Sequence, residues 1–158
     1  MAVQTALAKE GKYLTFALGK EDYGLEILKV REIIGMMNIT AVPQVPAYVK
    51  GVINLRGKVI PVIELRLKFG MKEIETTVET CVIVVNLNET LIGIIIDKVK
   101  EVLDIKQENI EPAPNFGANV HTDFILGIGK ANDSVKILLN IERVLSEDSI
   151  LIDKMAKS

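Results

Sequence analysis

"YLTFALGKEDYGLEILKVREII", Tyr13 to Ile34, falls on "VIVVNLNETLIGIIIDKVKEVL", Val82 to Leu103, when the chain is shifted against itself by 69 residues. Gly24 meets Gly93, Ile27 meets Ile96, Val30 meets Val99, Glu32 meets Glu101 and Ile33 meets Val102. Pro43 then meets Pro112 at the same shift. After a longer loop in the second copy, "YVKGVI" corresponds to "FILGIG", which sets Gly51 against Gly127 at a shift of 76. "KVIPVIEL" then roughly parallels "SVKILLNI". The matched glycines and prolines raise this above the chance identity of a Val/Ile-rich chain. One supersecondary plan is used twice.

Within each copy, short β-branched runs are punctuated by turn residues at close spacing, the pattern of small barrels or sandwiches. The expected strands are Tyr13–Leu18, Tyr23–Leu28, Val30–Ile34, Ile39–Val42, Gly51–Leu55, Val59–Ile63, Cys81–Leu87, Leu91–Ile96, Val99–Leu103, Phe124–Gly129 and Val135–Leu139. Helix is expected only briefly: a turn at Pro46–Lys50, "ELRLKFG" ended by Gly70, and a C-terminal "SEDSILIDKM" capped by Ser146. Two five-stranded copies predict an all-β chain of paired small barrels, since closing a sheet removes its exposed edges. The expected boundaries are 13–79 for the first barrel, 80–145 for the second and 146–158 for a C-terminal helix or tail, within one domain over 13–151.

Composition narrows the function classes. The 158 residues carry a formal net charge of -2, aromatics are 4% and there is no Trp, so the cationic footprint and stacking platforms of a nucleic-acid binder are missing. The single cysteine, Cys81, forbids an internal disulfide and reads as a small buried hydrophobe in "TCVIVVNL". "MAVQTALAKEGKY" has neither the basic start nor the apolar run of a signal peptide, and "CVIVV" and "LIGIIID" are too short to span a bilayer. These features predict a cytoplasmic protein without direct membrane insertion.

Catalytic constellations are equally scarce. His121 is the only histidine, in the polar loop "GANVHTDF", so metal ligation and a Cys–His nucleophile have no second partner. "GVINLRGK" fails as a phosphate loop, because five residues separate Gly51 from Gly57 where four are needed and Val59 stands in place of the Ser or Thr. "GIGKAN" has Asn132 where a dinucleotide fingerprint needs its third glycine. Glu21-Asp22 and Glu147-Asp148 sit at a turn and a helix start, and Glu73, Glu75 and Glu79 lie in a polar connector read as solvated. The expectation is a binding protein with no cofactor, not an enzyme.

"KVREII" and "KVKEVL" interleave charge with Val and Ile on both faces of a strand. Val30, Glu32 and Ile34 point one way and Arg31 and Ile33 the other. Either both faces are packed, one in a barrel and one in a seam between barrels, or part of the second is an open groove for a partner helix. The hairpin "GVINLRGKVIPVIELR" (51–66) raises a similar question, because it is apolar yet holds Arg56 at its bend. Its partner turn, "GIGKANDS", has no arginine there, so the fold does not require one.

"YVKGVINLRGKVIPVIELRLKFG", with "ILKVREII" upstream and "IGIIIDKVKEVLDI" and "IEPAPNF" downstream in the same order, resembles the CheW-like family from about Tyr13 to about Leu151. The resemblance implies two SH3-like five-stranded barrels and a non-enzymatic adaptor. In chemotaxis signal transduction such an adaptor couples methyl-accepting chemoreceptors to the histidine kinase CheA. It implies receptor contact in a groove between barrels, where the chemoreceptor's cytoplasmic hairpin tip docks on Val30, Ile33, Val99 and Val102. It implies kinase contact, with the regulatory domain of CheA, around Glu32 and the turn Asn54, Leu55, Arg56 and Gly57. The opposite signs of Glu32 and Arg56 suggest that the two pair and so orient the turn. Membrane association is implied only through receptor arrays. Two other readings stay open at this level: a small-molecule carrier using an inter-barrel cleft, and an adaptor of the same family serving another kinase pathway.

Overall fold

The computed structural model describes residues 8–113 and 122–146. In chain order its elements are β1 (Gly11–Leu18), β2 (Glu21–Glu26), β3 (Val30–Gly35), β4 (Val49–Leu55), β5 (Lys58–Glu64), α1 (Leu65–Lys68), β6 (Cys81–Leu87), β7 (Thr90–Ile96), β8 (Lys98–Ile105), β9 (Ile110–Glu111), β10 (Ile125–Ala131), β11 (Ser134–Leu139) and α2 (Ile141–Ser146). The repeat therefore holds at the level of elements. Shifting β1, β2 and β3 by 69 gives β6, β7 and β8, and shifting β4, β5 and α1 by 76 gives β10, β11 and α2. The architecture is all-β, in two SH3-like barrel units.

The sheets mix the two copies. One runs β8-β1-β2-β11-β10-β9 and the other β3-β6-β7-β5-β4. The first copy thus lends its hairpin β1–β2 to the four remaining strands of the second, and the second lends β6–β7 to the three remaining strands of the first. The exchanged hairpins dock by parallel pairing in equivalent register, Gly24 against Leu138 and Gly93 against Val62. Contacts accordingly divide the described chain into residues 8–27, 100–113 and 122–146 (unit 1) and Leu28–Val99 (unit 2). The boundaries 13–79 and 80–145 follow the repeat in sequence, and the units do not.

Short crossings explain the exchange. Ile96 stands opposite Cys81 in the β6–β7 hairpin, and the single residue Asp97 separates β7 from β8. For β8 to lie beside its own β6 as β3 does, Val99 would have to reach Val85, the partner of Val30. That position is about 13 Å along the sheet and about 10 Å across it from Ile96, whereas three extended residues span about 10 Å. The copy cannot close on itself. The first crossing, Ile27–Lys29, is a single 3-10 turn and meets the same limit.

The matched glycines mark close approaches. A Cβ on Gly24 would lie 2.9 Å from Leu138 Cδ2, and one on Gly93 would lie 2.7 Å from Val82 Cγ1. At Gly51 (φ +140°) a Cβ would fall 2.0 Å from the Thr40 carbonyl oxygen, because Thr40 and Val52 exchange backbone hydrogen bonds of 2.9 Å there. Each unit has its own apolar centre: Tyr13, Ile105, Ile110 and Leu138 in unit 1, and Ile53, Ile60, Val62, Val82 and Val84 in unit 2.

Three local expectations change. Residues 39–42 form no continuous strand, only the Thr40 bridge to Val52, since Pro43 lacks an N–H and Gln44 turns the chain at φ 60°. Pro46–Lys50 is not helical. Val49 N–H closes a turn onto the Pro46 carbonyl (3.0 Å), and Val49 is buried as the first residue of β4. A helix the pattern did not predict, α2, buries Ile141, Val144 and Leu145 at helical spacing, with Asn140 Oδ1 accepting the Arg143 N–H (3.2 Å) at its start. Ser146 is the last residue of α2; the helix expected to follow it, and His121, lie outside the described residues. The short helix at "ELRLKFG" is present as α1, capped by Glu64.

Candidate functional site

The β4–β5 hairpin closes on the pair Leu55–Lys58, leaving Arg56 and Gly57 as a two-residue loop with φ 52° and 85°. Both residues are left-handed, as a type I′ turn demands, and such turns favour Asn, Asp or Gly. The counterpart loop in unit 1 uses Asn132 and Asp133 (φ 52° and 61°), and the β6–β7 loop uses Asn88 and Glu89 (φ 51° and 71°). Arginine at the first position is sterically the poorer choice, because its Cβ crowds the following carbonyl without the local hydrogen bonding that an Asn offers.

Two contacts hold the turn. Asn54 Oδ1 accepts the Gly57 N–H at 2.8 Å. The Arg56 guanidinium donates to the Glu32 carboxylate, so the pairing suggested by their signs is present. It joins the hairpin tip to β3, which stands at one end of the unit 2 sheet order. The Arg56 side chain remains 70% exposed, so the pair supplies at most about 1 kcal/mol. A left-handed arginine costs a similar amount, and the fold gains little net stability from having one there. Leu55 differs from the other turn residues. Its side chain is buried with Ile53, Ile60 and Val62, and it supports the turn from beneath.

On β3 the alternation is as expected: Val30, Glu32 and Ile34 are half-buried, while Arg31 and Ile33 are exposed. The strand carries a bulge between Val30 and Glu32 in its pairing with β6. On β8, Val99 is half-buried and Val102 exposed, matching their repeat partners Val30 and Ile33. The structure brings Glu32, Asn54, Arg56 and Gly57 together in unit 2. It sets Val30 and Ile33 in one sheet and Val99 and Val102 on a strand of the other.

Leu28, in the crossing that leads into β3, was not singled out by its sequence and is 93% exposed. The signal was available, because the repeat sets Leu28 against the charged Asp97. Asp97 is clamped by Arg66 through Nε to Oδ1 (2.7 Å) and Nη2 to Oδ2 (2.6 Å), and the bidentate bond raises the Arg66 pKa. Nearby, burial pushes the Glu64 carboxyl above its ordinary value. Cys81 is half-buried, and burial raises its thiol pKa. In the connector, Glu73 pairs with Lys50 and Glu79 with Lys98. Among the described residues no group of three or more His, Cys, Asp and Glu is arranged to hold a metal, and no helix is long and apolar enough to cross a membrane.

Residues 12–149 match the CheW-like domain. The chain belongs to this family. It is 41% identical over 148 residues to a chemotaxis protein CheW of Klebsiella aerogenes, covering 93% of this chain and 89% of the relative. It is 39% identical to the chemotaxis protein CheW of Helicobacter pylori, over 87% of this chain and 82% of the relative. The crystal structure of the scaffolding protein TtCheW from Thermoanaerobacter tengcongensis superposes with a TM-score of 0.79 at 35% identity, over 86% of this chain and 92% of that one. In this CheW-like chain the exposed features of unit 2 are an arginine held in a turn that favours asparagine, and a strand with apolar residues on both faces.

Proposed function

We propose that this CheW-like chain is a non-enzymatic chemotaxis adaptor that couples methyl-accepting chemoreceptors to the histidine kinase CheA. It acts in the cytoplasm and reaches the membrane through receptor arrays. The observation that carries the reading is Arg56: an exposed arginine, left-handed at a turn and ion-paired to Glu32, at a place where the fold itself favours asparagine. A residue that the fold does not require there is expected to serve a partner.

In this reading, Glu32, Asn54, Arg56 and Gly57 present a rigid charged tip to the regulatory domain of CheA, with Leu55 holding it from below. Val30 and Ile33, with Val99 and Val102, receive the receptor's hairpin tip. Each contact is modest, and the adaptor works by bivalency: holding receptor raises the effective concentration of kinase, so two weak interfaces give one stable complex.

The test is reconstitution with cognate receptor and CheA, reading kinase autophosphorylation. Wild-type chain is expected to stimulate it. Arg56→Glu and Glu32→Arg are each expected to abolish stimulation, and the double reversal to restore part of it. No stimulation by the wild type would sink the coupling assignment. Single-variant loss without rescue would remove the pair while leaving the surface. A small molecule retained in native mass spectrometry would favour a carrier instead.

A further inference from the structure

Strands β3 and β8 are repeat partners and each hydrogen-bonds a neighbouring strand, β3 to β6 and β8 to β1, yet β8 carries further ties. On β3, Val30 and Glu32 to Gly35 sit in a backbone ladder with β6. On β8, three successive residues are tied by side chains. The Val99 backbone hydrogen-bonds the Cys81 thiol. Lys100 Nζ lies 2.9 Å from Asp22 Oδ1. The Thr15 hydroxyl donates to the Glu101 carbonyl (2.7 Å) and accepts the Glu101 N–H (3.1 Å).

The middle tie has a buried root. Asp22 Oδ2 accepts from Lys136 Nζ at 2.7 Å, and Lys136, whose side chain is 6% exposed, also donates to Ser134 Oγ (2.6 Å). Burial alone would raise the Asp22 carboxyl, but the hydrogen bonds and charges of Lys136 and Lys100 outweigh it and leave it below its ordinary value. None of these groups recurs at its repeat position: Cys81, Asp22, Thr15 and Lys136 correspond to Lys12, Leu91, Val84 and Ile60. Leu91 and Ile60 simply pack together in the unit 2 core.

A barrel of this plan can therefore be built without the ionic network, and burying it is not the cheapest way to stabilise one. We propose that Thr15, Asp22 and Lys136 are positioning residues that fix the β8 segment Val99–Val102 for partner contact. The inference rests on the coupling reading for what the segment contacts. Asp22 aims Lys100 and, with the Thr15 hydroxyl one residue on, sets the strand's register and twist. Val99 and Val102 are thereby presented in one geometry before a partner arrives, which lowers the ordering cost of binding.

The experiment uses the full chain in three variants. Asp22→Leu with Lys136→Ile installs the unit 2 pair in unit 1; Lys100→Met cuts the exposed tie and leaves the buried pair whole; Thr15→Val removes both hydroxyl bonds at constant shape. Amide hydrogen exchange over Lys98–Ile105 is expected to quicken about tenfold in each, with other strands unchanged. Sedimentation with receptor-containing vesicles is expected to weaken by a similar factor at an unchanged melting temperature. Unaltered exchange over this segment in Lys100→Met and Thr15→Val, or receptor binding equal to wild type in those two, overturns the assignment. A wild-type chain that does not bind receptor removes the coupling reading itself, a result the variants cannot produce.

Discussion

Leu91 and Ile60 in unit 2 occupy the places that Asp22 and Lys136 occupy in unit 1, in barrels otherwise built on one plan. The apolar pair joins a continuous core, whereas the ionic pair is a desolvated contact with a third charge, Lys100, at its rim. The turns differ in the opposite sense. Unit 1 uses Asn132, well suited to a left-handed turn, where unit 2 carries Arg56. Each unit departs from the economical choice at one place, and each departure leads to a strand or turn proposed for partner contact. Where two copies share a fold, the positions at which only one copy departs from its rules are the informative ones.

The comparison breaks most visibly at the buried pair. Asp22→Leu alone strands Lys136 without its carboxylate and is expected to cost about 3–5 kcal/mol in urea unfolding, while Asp22→Leu with Lys136→Ile recovers all of it or more. A single variant costing under about 1 kcal/mol would mean the two charges are not coupled.

The glycine pair comes next. Gly51→Ala forces a Cβ to 2.0 Å from the Thr40 carbonyl oxygen at φ +140°, whereas at Gly127 the nearest atom is the Glu111 carbonyl oxygen at 2.9 Å. Losses of roughly 3 kcal/mol or more and roughly 1–3 kcal/mol are expected, in that order. Equal losses would contradict the asymmetry between the two close approaches.

Acid titration separates the units by sign. Asp22 has a depressed folded pKa, so its contribution is full above its ordinary value of 3.8 and is lost as pH falls through the folded value. The Leu–Ile double variant should lack that acid limb. Glu64 has a raised folded pKa, so its contribution is present below 4.5 and is lost as pH rises through the folded value. Glu64→Gln should flatten that decline while keeping an acceptor for the Arg66 N–H.

The smallest stability change belongs to the turn. Arg56→Asn, copying Asn132, is expected to leave the fold as stable as before or up to about 1 kcal/mol more stable, while kinase stimulation falls sharply. A variant that couples normally would remove the case for Arg56 as a partner residue.

Much of this was legible in the sequence. Gly24 with Gly93 and Gly51 with Gly127 sit where Cβ atoms would collide, which is why they could anchor the repeat. The exchange of hairpins was not read, because hydrophobic alternation says which face a strand buries and nothing about which strand it pairs with. Its cue lay in crossing length, one residue at Asp97. Lys136 was missed because "SVKILL" counted from Val135 puts the lysine outside; counted back from the buried Leu138, it falls inside. The resemblance sets Leu55 on the kinase-contact turn with its neighbours, while alternation from Ile53 sends its side chain inward. The Glu32–Arg56 pairing was legible because the family resemblance singles out both positions and their charges are opposite.

The exchanged hairpins also set a timetable for synthesis. Lys136 follows Asp22 by 114 residues. At about 5–20 residues per second, the first hairpin would wait roughly 6–23 s on the ribosome before β11, the partner of β2, has been made. Unit 2 has every one of its described strands by Ile96, and so would be the first to close. Unit 1, although it begins earlier, would be completed last.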